Sequence, residues 1–278
     1  MNVRTLAASA ALMTVLGAAT VASSLAEPAQ RPAPKAPAKP AARPAAPAAE
    51  VKAPFAAGET LTYDVGWSTY FTAGTATMRV QERRELGGGR AAYVLVAEGK
   101  PGSVLSKLYD LYYKAETQLD TRSMQPITSS VFSKEGTRTR VKTTHFRGAA
   151  ARTADYEVRT TTVNKRQLSV PQYTQDALAA IYVLRTLPFK APDMIRMPIT
   201  TGGEVYRATI NYGAPEAVRT GAGTFQAYKL SISAIDTKGQ PAARSMHVWF
   251  SNDQRRLPVK IEAGLPVGAF TLTLASAR

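Results

Sequence analysis

The chain carries two histidines, His145 and His247, and no cysteine. Thiolate nucleophiles, disulfides, cysteine-ligated zinc and iron–sulfur clusters are excluded on that ground. Two histidines cannot make a three-histidine metal centre, and they leave little room for histidine base chemistry. Both lie in strand-like runs, Lys142-Thr143-Thr144-His145-Phe146-Arg147 and Met246-His247-Val248, where a surface or core-edge position is expected. No further ligands flank them, so no metal is expected. Asp155 and Glu157 share one strand face without a visible acid–base partner. Gly-x-Ser-x-Gly, His-Glu-x-x-His, a phosphate loop ending in Gly-Lys-Ser/Thr and a calcium loop are all missing from the sequence. No cofactor is expected, and a non-enzymatic protein is favoured, although catalytic groups converge in space rather than in sequence.

Two sets of residues are better suited to binding than to reaction. Between Arg122 and Arg166 there are ten basic side chains against Glu135, Asp155 and Glu157. Within that stretch Arg138, Arg140 and Lys142 alternate, so in a strand they project from one face and repel one another. One reading is a solvated outer face that protects an exposed strand. The other is an anion-docking surface, because arginine forks bind phosphate bidentately. The second set is aromatic: Trp67, Tyr109, Tyr112 and Trp249 are candidates to line a cavity, with ordinary core packing as the competing reading.

The elements that must position these residues are strands. Leu61, Tyr63, Val65 and Trp67 alternate with Thr62, Asp64, Gly66 and Ser68, and Ala76, Met78 and Val80 repeat the pattern after a Gly74 suited to a bulge. Gly87-Gly88-Gly89 is a hairpin turn leading into Tyr93–Ala97. Further alternating runs centre on 206–212, 228–232, 246–250 and 270–274. Turns are expected between them at Gly202-Gly203, Gly213-Ala214-Pro215, Lys238-Gly239-Gln240-Pro241 and Ser251-Asn252-Asp253. The expected fold is mainly β, an antiparallel barrel-like or strongly curved sheet of ten or more strands. One or two short helices join it. Asp176–Leu187 has helical spacing, an Asp176 cap and a Pro188 stop, with Arg185 escaping or pairing near its end. Ser103–Tyr113 reads as a short helix leading into a strand.

Before residue 55 the sequence is a different material. Residues 1–26 read as an export signal: Arg4, an uncharged apolar stretch, then Ser24-Leu25-Ala26 as a cleavage site. An uncleaved N-terminal membrane anchor is the competing reading. Residues 27–54 hold eleven alanines and eight prolines, with Arg31, Lys35, Lys39 and Arg43 at every fourth position. Such a segment is an extended basic linker. Residues 55–278 then form a single β-rich domain. The formal charge of +15 invites a nucleic-acid reading. An exported protein instead meets anionic lipid, lipopolysaccharide and wall polymer, and no membrane span is expected once the signal is removed.

Several of these segments together resemble one family. Gly58-Glu59-x-Leu61-x-Tyr63-x-Val65-x-Trp67, Gly74 with Thr75-Ala76-Thr77-Met78, Lys107-Leu108-Tyr109 and Asp176–Tyr182 with Leu184-Arg185 are similar to the domain-of-unknown-function 3108 family. So are Gly223-Thr224-Phe225, Val248-Trp249-Phe250-Ser251-x-Asp253 and Arg256-x-Pro258-Val259. The resemblance spans roughly residues 55–275 and implies an exported bacterial envelope protein with a β-rich domain, without catalytic residues to carry over. Three functions stay open. The first is a periplasmic module that binds a lipid or other amphipathic envelope molecule. The second is a structural or interaction protein engaging wall polymer or an envelope partner. The third, a hydrolase of envelope material, requires paired carboxylates in a cleft.

Overall fold

The computed structural model describes residues 49–67, 71–103, 106, 110–148, 151–189, 194–241, 245–265 and 268–278. The segment read as an export signal, most of the expected linker, much of the expected Ser103–Tyr113 helix and Tyr109 lie outside the described residues. Alternation governs what is described. In β1 (Thr60–Trp67) Leu61 and Tyr63 are fully buried and Asp64 is exposed, as a strand with one covered face requires. The same logic forms β2 (Phe71–Gly87), β3 (Arg90–Pro101), β4 (Leu111–Asp120), β5 (Pro126–Glu135), β6 (Arg138–Phe146), β7 (Thr153–Arg159) and β8 (Val163–Ser169). A two-residue β9 (Gln175–Asp176) leads into helix α1 (Ala177–Thr186). The chain continues through β10 (Met194–Thr201), β11 (Glu204–Thr220), β12 (Gly223–Asp236), β13 (Ser245–Ser251), β14 (Pro258–Leu265) and β15 (Gly268–Ala277).

All fifteen strands belong to one sheet, in the order β8-β7-β6-β5-β4-β3-β2-β1-β15-β14-β13-β12-β11-β10-β9. Every pairing is antiparallel except the short one between β9 and β10. The first and last strands pair at the centre, Val65 opposite Leu272 and Trp67 opposite Phe270. Gly74 is a bulge, as its sequence context predicts: β2 skips a residue against β1 between Val65 and Gly66. A Cβ at Gly74 would overlap the Lys100 carbonyl oxygen, so only glycine fits there. The expected turn at Gly213–Pro215 is instead a register shift inside β11. Gly213 and Pro215 are exposed, and a proline without an N–H is tolerated at such an irregularity.

The sheet is curved but not closed. Its inner face is defined by Leu61, Tyr63, Leu95, Leu119, Leu230 and Phe250, which share one core with α1. Asp176 starts the helix by accepting from the backbone amides of Leu178 and Ala179 at 2.9 and 3.1 Å. The same oxygen accepts from Thr117 on β4 at 2.9 Å, which ties the helix start to the inner face. At the seam the two ends overlap rather than pair. Ala154, Tyr156, Leu168 and Val170 form a second small core with Val205 packed against it. Val205 lies on the opposite side of β11 from Ala208 and Ile210, so the inner face of β6–β8 rests on the outer side of the β10–β11 turn. Arg166 on β8 donates to the Gly203 carbonyl at 2.6 Å and pairs with Glu204 at 2.9 Å. The approach is so close that a Cβ on Gly203, whose φ is +82°, would sit 2.6 Å from the Arg166 guanidinium and the Tyr156 ring.

Candidate functional site

Hydrogen-bond register shows which side chains share the inner face. Tyr63, Ala76, Gly99, Tyr113, Ser133 and Arg140 are consecutive partners across β1 to β6. The neighbouring row runs Leu61, Met78, Ala97, Ala115, Val131 and Lys142. Arg138, Arg140 and Lys142 therefore project from the inner face, not from the outer one. Arg140 and Lys142 are half-buried and Arg138 is exposed. Side chains two residues apart on a strand are about 7 Å apart. Two unit charges at that distance repel by about 0.6 kcal/mol in water and about 2.4 kcal/mol at an effective dielectric of about 20. Nearby cations are neutralised: Lys134 pairs with Asp110, Arg147 with Asp155, Arg159 and Lys165 with Glu157. Among the described residues the three inward cations have no ion-pair partner. Glu135 stands across from Arg138 without an ion pair to it, and its carboxylate accepts the Tyr113 hydroxyl at 2.7 Å. Lys142 reaches the seam, with its Nζ 4.0 Å from where a Cβ of Gly202 would lie.

The aromatic candidates are not brought together. Trp67 is on the inner face, half-buried, stacked on Phe270 with ring centroids 6.0 Å apart. Tyr112 is on the outer face, tilted against Phe132 at 5.9 Å. Trp249 is buried, but its cross-strand partners are Lys229 and Lys260, so by strand alternation it lies on the face opposite Leu230 and Val248. There it is roofed by the Lys229 and Lys260 ammonium groups, 5.0 and 4.7 Å from its ring centroid, and its indole N–H donates to Glu216. This is cation–π packing on the convex side. His247 is beside it, its ring 5.9 Å from Trp249 and its Nδ1 3.1 Å from the Ser231 hydroxyl. Burial, with Lys229 close by, pushes the His247 imidazole below its ordinary value. Among the described residues no group of three metal-ligating side chains forms.

Burial along the inner face fades from one end of the sheet to the other. Leu230, Val248, Phe250 and Leu274 are buried in the core that α1 also joins. The row Ile232, Met246, Ala263, Phe270 and Trp67, consecutive partners across β12, β13, β14, β15 and β1, is half-buried throughout. Its continuation on β11, Ile210, is fully buried, so the partly exposed apolar stretch of this row runs from β12 to β1. The row through Arg140 is the row through Tyr63, so Arg138 lies toward the same end of the sheet as Val65 and Trp67. The apolar row and the unpaired cations share both a face and an end.

The filled end carries residues that sequence reasoning did not single out as a site. Arg185 is fully buried and gives both Nη atoms to Glu59, at 2.6 and 2.8 Å, while Nη2 also donates to the Arg255 carbonyl at 2.9 Å. Asp253 holds the β13–β14 turn, accepting from the Ser251 hydroxyl and from the backbone amides of Arg255 and Arg256. Arg256 donates to the carbonyls of Arg185 and Leu187 and covers the Phe189 ring at 5.0 Å. Between these groups and Lys52–Pro54 lies an open cleft of about 930 Å³. Asp253 is the one acid among its described lining residues and is engaged by the turn, which leaves no carboxylate pair for glycoside chemistry there. The signal for this cluster was present in the sequence. Gly58-Glu59, Leu184-Arg185 and Ser251-x-Asp253 with Arg256 are separate segments that the fold joins.

A family model described as a protein of unknown function, DUF3108, matches residues 62–275. The chain belongs to the DUF3108 family. Within that family match lie Arg185, Asp253 and Arg256, whereas Glu59 stands just before it. Among solved structures, the chain is similar to the β-barrel-like protein of the DUF1849 family from Brucella abortus, with a TM-score of 0.51 and 11% identity. That match covers 80% of this chain and 98% of the other, and it shows a shared fold. Two further matches cover 83% of this chain and 100% of the other. One is a Bacteroides fragilis protein described as exported with a YmcC-like fold (TM-score 0.30, 8% identity). The other is a Parabacteroides distasonis protein described as a lipoprotein (TM-score 0.32, 11% identity). A comparison with curated proteins finds no match. Among the described residues no helix is long and apolar enough to cross a membrane.

Proposed function

We propose that this DUF3108 protein is an exported, non-enzymatic envelope protein whose curved sheet shelters the apolar part of an amphipathic envelope molecule. The observation that carries the reading is the half-buried inner row Ile232, Met246, Ala263, Phe270 and Trp67. Apolar side chains on a concave face are normally filled against one another, and an accessible apolar row with few polar groups is the composition of a ligand site. Curved and barrel-like sheets hold such ligands at their mouths. The leader at residues 1–26 and the basic linker at 27–54 support delivery to, and retention near, an anionic envelope.

Trp67 stands in the row and supplies the test. In a Trp249→Phe variant it is the one tryptophan left, so quenching by a bromine-labelled fatty acid reports occupancy of the row. The expected result is saturable quenching that Ile232→Asp and Met246→Asp abolish while the melting curve holds. A folded protein whose Trp67 is not quenched, and which carries no lipid in native mass spectrometry after purification from the periplasm, overturns the reading.

A further inference from the structure

We infer that Arg138, Arg140 and Lys142 bind the phosphate of an anionic lipid whose apolar part lies along the open half of the inner face. The inference rests on the function proposed above and names the ligand class for that site.

Cations on the inner side of a curved sheet are unusual unless an acid meets them. These three lie two residues apart along β6 and have no ion-pair partner among the described residues, while Lys134, Arg147, Arg159, Lys165 and Arg166 around them all pair with acids. The acid nearest in register, Glu135, accepts the Tyr113 hydroxyl and forms no ion pair with Arg138. An anion arriving from outside relieves the mutual repulsion of the three, and phosphate, with several acceptor oxygens, matches the arginine fork.

Placement selects a lipid phosphate over a free one. The register row through Arg140 is the row through Tyr63, so Arg138 lies toward the end of the sheet where Val65 and Trp67 are accessible. A molecule with an anionic head and an apolar tail satisfies both features at once. Inorganic phosphate uses only the cations.

The probes are lysophosphatidic acid, monoacylglycerol of the same chain length and inorganic phosphate, titrated against the full mature chain at low and at high salt. The expected result is that lysophosphatidic acid binds about tenfold tighter than monoacylglycerol, a preference that weakens with salt. The triple variant Arg138→Gln, Arg140→Gln, Lys142→Gln should lose that preference and keep its monoacylglycerol affinity. Lys134→Gln, which removes an outer-face charge, should change neither. Removing three mutually repelling charges does not threaten the fold, and thermal melting checks it. Equal binding of the two lipids by the wild-type protein overturns the headgroup inference and leaves the apolar site standing. Binding of neither lipid overturns the proposed function and the inference with it. Inorganic phosphate that binds as tightly as lysophosphatidic acid overturns the lipid assignment in favour of a free-anion site.

Discussion

Arg185 and Glu59, 126 residues apart in sequence, hold each other through two N–H···O bonds of 2.6 and 2.8 Å with both side chains almost wholly out of solvent. The pair joins the last turn of the internal helix to the residue that precedes β1. The Phe55 and Tyr182 rings lie against the guanidinium, with centroids at 5.1 and 5.4 Å. Packing on aromatic faces and a third bond to the Arg255 carbonyl offset part of the cost of desolvating both ions.

Glu59→Gln leaves the Arg185 charge buried without a counter-ion, and a loss of about 3–5 kcal/mol in unfolding free energy is expected from urea denaturation. Arg185→Met combined with Glu59→Leu should recover a large part of that loss, since two apolar groups leave no unpaired charge. A Glu59→Gln variant as stable as wild type would show that the pair does not hold the helix in place.

The gradient of burial along the inner face predicts unequal costs for similar truncations. Leu230 is fully buried in the core that α1 also joins, and Ile232, next on the same face of β12, is half-buried. Leu230→Ala should cost about 2–5 kcal/mol through a cavity that cannot collapse, and Ile232→Ala at least about 1 kcal/mol less. Equal losses would mean that the far half of the concave face is filled.

Gly203 tests how the ends of the sheet overlap. With φ at +82° and no room for a Cβ, Gly203→Ala should push the β10–β11 turn away from Tyr156 and Arg166 at a cost of about 1–3 kcal/mol. Because that contact belongs to the small second core, amide exchange should quicken in β7 and β8 while β1 and β15 keep their protection. Uniform acceleration across all strands would contradict two separable cores.

Asp176 makes stability depend on pH. Burial pushes its carboxyl above the ordinary value, against the pull of the Ala179 amide, the Thr117 hydroxyl and the Leu178 amide, and one of its oxygens is buried without a partner. The folded state therefore holds this proton more tightly than the unfolded chain does. The stabilisation is complete below the unfolded value near 3.8 and is lost as pH rises through the higher folded value. Asp176→Asn keeps a capping oxygen and cannot ionise. Its urea midpoint should gain on wild type as pH increases from about 4. A constant difference across that range would refute the raised carboxyl.

The strands, the helix and its cap were legible in the chain because each depends on neighbours in sequence. Leu61, Tyr63, Val65 and Trp67 declare one covered face, and Asp176 with Pro188 brackets ten helical residues. Parity also carried more than the aromatic grouping used. Met246, Val248 and Phe250 on the inner side already put Trp249 on the other, so it and Trp67 could not share a cavity wall.

That Arg138, Arg140 and Lys142 share a face follows from the two-residue period of a strand, which is a local property. Which face they occupy does not. It depends on six strands held in register from Tyr63 to Arg140, and a shift of one residue at any of those pairings would send them outside. The meeting of Glu59 with Arg185, the cover of β6–β8 over the β10–β11 turn, and the half-filled interior depend likewise on contacts between distant segments. Sequence periodicity has no term for them, because it records which residues prefer burial and not which other surface arrives to bury them.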